Sequence, residues 1–177
     1  MALALAAVVA LSACDDAAEA PAAADMGWTG EVEVGDISAW QPVAAADDPF
    51  ADHRPAEVDC PTDGYGREYT TFEVTTDSCH YATFAQPLPV DLRPGDHVVG
   101  SLWHLALYAP EAAEAHVALG VGAQVLWEQH IPIPGPEAVF DIDAVVAEAV
   151  PAGTPIFVHL HNHGANSWRW TNFEARR

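Results

Sequence analysis

Lysine is absent from this chain. Its six basic residues are all arginine (Arg54, Arg67, Arg93, Arg169, Arg176 and Arg177), they face twenty-six acids, and the formal net charge is −20. A nucleic-acid surface needs clustered basic side chains to neutralise phosphates, so that class of partner is excluded. Charge-driven adhesion to anionic lipid headgroups is disfavoured for the same reason. Cysteines number three, and none stands in a Cys-x-x-Cys pair, which leaves thiol redox chemistry without a motif. No Gly-x-Ser-x-Gly occurs, and no spacing singles out a carboxylate pair, so neither nucleophilic nor glycosidase-type catalysis has positive support. The expectation is a protein that is not an enzyme. Long apolar runs are also lacking after the first residues. Met1 to Leu11 is almost wholly apolar but ends at Cys14, where Asp15 and Asp16 follow; a membrane-spanning helix needs about 20 such residues.

What stands at the N-terminus is a short apolar stretch running into Leu11-Ser12-Ala13-Cys14. This resembles the lipobox of bacterial lipoprotein signal peptides. The resemblance implies removal of residues 1–13, a diacylglyceryl (palmitate-type) anchor on the thiol of Cys14, and a place in the cell envelope, facing the periplasm or the exterior and tied to a lipid bilayer. A single acyl chain binds membranes only marginally, whereas two or more hold stably. In an oxidising compartment the two remaining cysteines, Cys60 and Cys79, are expected to pair as a disulfide.

Between Asp15 and Asp63 there are thirteen acids against Arg54 alone. Alanine and proline crowd the same region, and such a stretch has too little apolar surface to offset the entropy of ordering. Residues 14–47 therefore read as a largely disordered linker and 48–177 as the folded domain. Gly30-Glu-Val-Glu-Val-Gly35 alternates briefly and suits a short strand.

From Glu68 onward, β-branched and aromatic runs alternate with Gly/Pro punctuation. Strands are expected at 68–76, 79–84, 97–108, 117–121, 125–131, 138–142, 156–161 and 168–173. Residues 143–150 are ambiguous, because Ile142, Val145, Val146 and Ala149 keep helical spacing. Seven or eight strands at this rhythm predict an all-β fold, a single jelly-roll-like β-sandwich. The strand rhythm over about 60–177 resembles sandwich domains of the carbohydrate-binding-module kind.

The most distinctive internal stretch is Phe157-Val-His159-Leu-His161-Asn-His163. Alternate residues of a strand share a face, so His159 and His161 project together, with His163 beside them if the strand persists. His-x-His on a strand resembles the metal clamp of cupins and carbonic anhydrases. Gly153, His159 and His161 fit the start of the first cupin motif, but Ala165 and Asn166 stand where its glutamate belongs. A metal site, for zinc or copper, would take His159 and His161 and a third ligand from His104, His116 or His130, with His104 first among them. Otherwise no cofactor is expected.

The same stripe also suits a glycan or another small polar ligand. Trp168 and Trp170 would offer stacking faces there, and His159, His161, His163, Asn162 and Arg169 would offer hydrogen bonds. The tryptophans equally suit a core. A third reading is a structural envelope protein that meets another protein.

Overall fold

The computed structural model describes residues 28–177, so the expected signal peptide, Cys14 and the part of the expected linker up to Gly27 lie outside the described residues. Twelve strands follow in order: β1 (Glu31–Gly35), β2 (Gln41–Pro42), β3 (Tyr65–Glu68), β4 (Thr71–Thr75), β5 (Tyr81–Pro87), β6 (His97–His104), β7 (Ala113–Val121), β8 (Gln124–Ile133), β9 (Ala138–Val145), β10 (Pro155–His161), β11 (Ser167–Trp170) and β12 (Phe173–Arg176). Two single-turn 3-10 helices, Ala45–Asp47 and Ala51–His53, interrupt the chain between β2 and β3. The fold is an all-β, two-sheet sandwich.

One sheet runs β1-β12-β6-β11-β4-β3, with β9 also on β6, and the other runs β2-β5-β10-β7-β8. All pairings are antiparallel, and β6 is the axis of the first sheet. It pairs along its whole length with β9, and on its other edge with β12 at one end and β11 at the other. The sequence suggested one strand over 168–173. Thr171 breaks it: its amide donates to the carbonyl of Ser101, while its hydroxyl accepts from the Ser101 amide at 2.8 Å. The ambiguous segment after Ile142 is strand through Val145 and forms no helix.

The domain begins ahead of position 48, where composition placed its boundary. β1 pairs with β12, and β2 pairs with β5. Val34, Ile37 and Trp40 are buried in the main core. The Glu-Val-Glu-Val alternation is therefore a sheet edge, not linker. Cys60 and Cys79 form the expected disulfide.

Strict alternation fills the space between the sheets. Val98, Leu102, Trp168 and Trp170 from the first sheet meet Phe84, Val117, Leu119, Val158 and Leu160 from the second. Phe72 of β4 and Phe84 of β5 meet edge to face across the sandwich, centroids 4.9 Å apart, a geometry favoured by the ring quadrupole. Because Val158 and Leu160 point inward, Phe157, His159 and His161 must point outward from β10. That outer face of the second sheet carries the histidines.

Candidate metal centre

Register places the histidines in rows. Tyr81, His161, His116 and His130 stand directly opposite one another across β5, β10, β7 and β8, and the next row is Thr83, His159, Ala118 and Glu128. An outer face is normally wet, yet His159 has no exposed surface and His116 is only 8% exposed. The cover is the segment 44–54, which leaves β2 and crosses the sheet as a strap. Phe50 packs on Ala118 and Phe157 and stacks on the His159 ring at 4.2 Å. At the end of the strap, the second 3-10 turn brings in His53.

Asp48 fastens the strap. Its buried carboxylate accepts hydrogen bonds from the Phe50 amide (3.0 Å), the Thr83 hydroxyl (2.9 Å), the Tyr81 hydroxyl (2.8 Å) and the Arg54 guanidinium (2.7 Å). Burial pushes its pKa up, but those hydrogen bonds outweigh burial and hold it below the usual carboxylate value. Burial, then Asp48 itself, raises the Tyr81 phenol above its ordinary range.

These bonds fix a tautomer. The single hydrogen of the Thr83 hydroxyl goes to Asp48, so Thr83 Oγ1 can only accept from His159 Nδ1, 2.8 Å away. His159 therefore carries its proton on Nδ1 and turns a bare Nε2 lone pair outward. His116 is set the opposite way round. Its Nε2 donates to Glu128 Oε1 at 2.6 Å, which leaves Nδ1 bare. Burial, followed by the neighbouring histidines and Arg54, keeps His159 well below the ordinary imidazole pKa. Burial likewise lowers His116 despite the opposing pull of Glu128. Both rings are thus neutral at neutral pH.

The two bare nitrogens converge on His53. Its Nε2 lies 3.2 Å from His159 Nε2 and 3.2 Å from His116 Nδ1, and the ligand atoms of all three rings lie within 4.8 Å of one another. His53 Nε2 can carry one hydrogen at most, so it can satisfy only one of its two neighbours. If its hydrogen sits instead on Nδ1, toward Asp52 at 3.5 Å, three lone pairs face one another with nothing between them. A common cation removes the conflict. Two nitrogens 3.2 Å apart, each about 2.05 Å from one ion, subtend about 100° at it, close to the tetrahedral angle preferred by zinc. A carboxylate on the far nitrogen is a usual means of orienting metal-bound histidine; Glu128 stands there for His116, and the Thr83 hydroxyl takes the same position on His159.

The site opens on a cleft of about 560 Å³, lined by His53, His116, His130, His161 and His163 among others. With the buried His159 against His53, six of the chain's nine histidines gather here. Asp52, Glu114 and Glu128 stand in the same lining, so the mouth is anionic apart from the imidazoles. His161 is half-buried, with its ring parallel to that of His53 at 5.7 Å between centroids. Burial first, then His163, His53, His116 and His80, lower its pKa to about 4.

Several sequence-predicted residues stand elsewhere. His104 lies on β6 of the other sheet, against Trp168, and donates from Nδ1 to the Leu105 carbonyl at 2.7 Å. It is no partner of His159. Trp168 and Trp170 have no exposed surface, because Arg169, between them, takes the outward position and pairs with Glu73 at 2.7 Å. They are core, not a stacking platform. Asn162 is buried too, donating to the Thr76 hydroxyl and the Gly164 carbonyl to shape the turn after β10. Sequence reasoning missed His53, since Asp-Pro-Phe-Ala-Asp-His-Arg-Pro carries no period that ties it to a strand.

No family model matches the chain, and no curated protein matches it. Among solved structures it is similar to a family 4 carbohydrate-binding module (TM-score 0.42, 11% identity, 77% of this chain and 85% of that one). It is also similar to the C-terminal family 6 module of LamC, a marine laminarinase from Zobellia galactanivorans (TM-score 0.42, 12% identity, 83% and 99%). A third is the K3 adhesin domain of Lys-gingipain from Porphyromonas gingivalis (TM-score 0.45, 13% identity, 83% and 99%). Two of these three solved structures are carbohydrate-binding modules.

Proposed function

We propose that this domain is a metal-binding module that holds one divalent transition-metal ion, zinc or copper(II), on His53 Nε2, His116 Nδ1 and His159 Nε2. The observation that carries this reading is the pair of 3.2 Å contacts among three imidazole nitrogens, two of them already stripped of hydrogen by Thr83 and Glu128. Imidazole donors suit zinc, copper, nickel and iron, and affinity for such a set peaks at copper(II). Three protein ligands leave the remaining coordination to water or to a ligand arriving through the cleft. The anionic mouth favours the approach of cations and opposes that of anions. A glycan reading keeps the sandwich but loses the tryptophan pair on which its site was drawn.

The lipobox-like Leu11-Ser12-Ala13-Cys14 supports placing this module on an acyl anchor at the surface of a bacterial membrane. Intact-mass spectrometry of the native product checks that part: an acylated Cys14 at the mature N-terminus is expected, and an unmodified chain retaining Met1 refutes it. For the metal, protein purified without chelator is analysed for elements and then titrated with zinc and copper(II). One equivalent that disappears in His159→Ala supports the reading. Failure of the wild-type protein to retain either ion after desalting overturns it.

A further inference from the structure

Resting on the metal reading, we infer that His161 and His163 are an entry relay, which takes an incoming ion at the surface and passes it to the three-histidine site without belonging to the final ligand set. The contrast with the ligands is physical. His159 and His116 are locked by hydrogen bonds on their far nitrogens, whereas the rings of His161 and His163 have no hydrogen-bond partner among the described residues. Their main chain is nonetheless fixed. The Asn162 amide donates to the His80 carbonyl at 2.8 Å, and the Asn162 side chain ties the turn to Thr76 and Gly164. The result is two rings whose nitrogens no hydrogen bond ties down, on a backbone that is held in place.

Their positions make a path. His163 is exposed, His161 is half-buried and His159 is fully buried. The His163 and His161 rings are 5.1 Å apart, and His161 is 5.7 Å from His53, with all of these but His159 lining the same cleft. A hydrated dication entering a site closed by a strap must shed water in steps, and an imidazole nitrogen at each step replaces what is lost. His130, on the opposite rim, differs. It is held by Glu114 at 2.9 Å and stacked on His116, so a hydrogen bond pins its ring where none pins those of His161 and His163.

The test is stopped-flow loading with zinc chloride, followed by release of a chromophoric chelator, together with equilibrium titration. His161→Ala/His163→Ala is expected to load about tenfold more slowly, a loss in the range associated with guided encounter, while it still binds one equivalent with affinity close to wild type. His163→Ala alone, a change at an exposed side chain, should show part of the slowing and keeps the test independent of folding. His97→Ala, on β6 of the other sheet and paired with Asp143, should load at the wild-type rate. Loading of the double variant within twofold of wild type overturns the relay. Loss of the bound equivalent in His161→Ala also overturns it, by making His161 a ligand. If the wild-type protein takes up no zinc, the metal reading fails first and the relay with it.

Discussion

Thr83→Val is the most searching change available at this site, because it removes one oxygen and keeps the shape. The Thr83 hydroxyl stands between two buried groups: it donates to Asp48 at 2.9 Å and accepts from His159 Nδ1 at 2.8 Å. Valine leaves the His159 N–H without an acceptor and removes one of four donors from the Asp48 carboxylate. A buried polar group left unpaired costs about 1–3 kcal/mol, so the metal-free domain should lose stability of that order in urea denaturation. The imidazole is also released from its tautomer. Loss of such an orienting partner typically weakens metal affinity by about 10–100-fold. The assay is competition for zinc against a chelator of known affinity, run beside denaturation of the chelated protein, with Thr83→Ser as the variant that keeps the hydroxyl. Serine should restore affinity. If valine lowers stability but leaves zinc affinity within twofold of wild type, His159 Nε2 is not a ligand, and the assignment of the centre is wrong.

Other outcomes follow from the same contacts. The folded Asp48 carboxyl titrates below its ordinary value of 3.8, so its contribution to stability is complete above that value and is lost as pH falls through the lower, folded one. Urea midpoints of Asp48→Asn should therefore fall less steeply than wild type as pH drops below 3.8, and an equal slope there would refute this. Reducing the Cys60–Cys79 bridge, which spans 19 residues, should remove about 3 kcal/mol by the chain-entropy relation, read as a lower Tm under reductant. Trp168→Ala should cost about 3–5 kcal/mol as a core truncation without changing zinc stoichiometry. A stoichiometric change there would tie the core to the site more closely than the geometry does. Glu128→Gln, which keeps shape but not charge beside His116 Nε2, should weaken zinc by about tenfold in the same competition assay.

Much of this arrangement was legible in the residues, and what was not has a physical reason. Phe157-Val-His159-Leu-His161 alternates so regularly that the outward face of β10 could be read directly. The same period in Ser167-Trp168-Arg169-Trp170 carries the opposite lesson, because one charged residue between two aromatics places the aromatics inside. His116 stood among the candidates for a third ligand, and the observed β7, which starts ahead of the expected strand, turns it outward between the buried Ala115 and Val117. His104 shares that kind of periodicity but sits on an inward register of the other sheet, and a single strand's pattern does not say which sheet it joins. His53 was invisible because it approaches across the sheet from a strap, and such a contact leaves no period in the chain. Composition misplaced the domain boundary for a related reason. An acidic, alanine-rich stretch looks unfoldable by itself, but here it borrows its partners, β12 and β5, from far along the sequence.

The strap has one more consequence. Residues 53, 116 and 159 come together only when the N-terminal segment lies folded over the second sheet, so the unfolded polypeptide offers an ion no equivalent place to bind. Occupancy then favours the native form by mass action, in proportion to the logarithm of free ion over its dissociation constant. An ion seated there would act as a clasp on the strap, and a shortage of metal would be felt first as a loosening of residues 44–54.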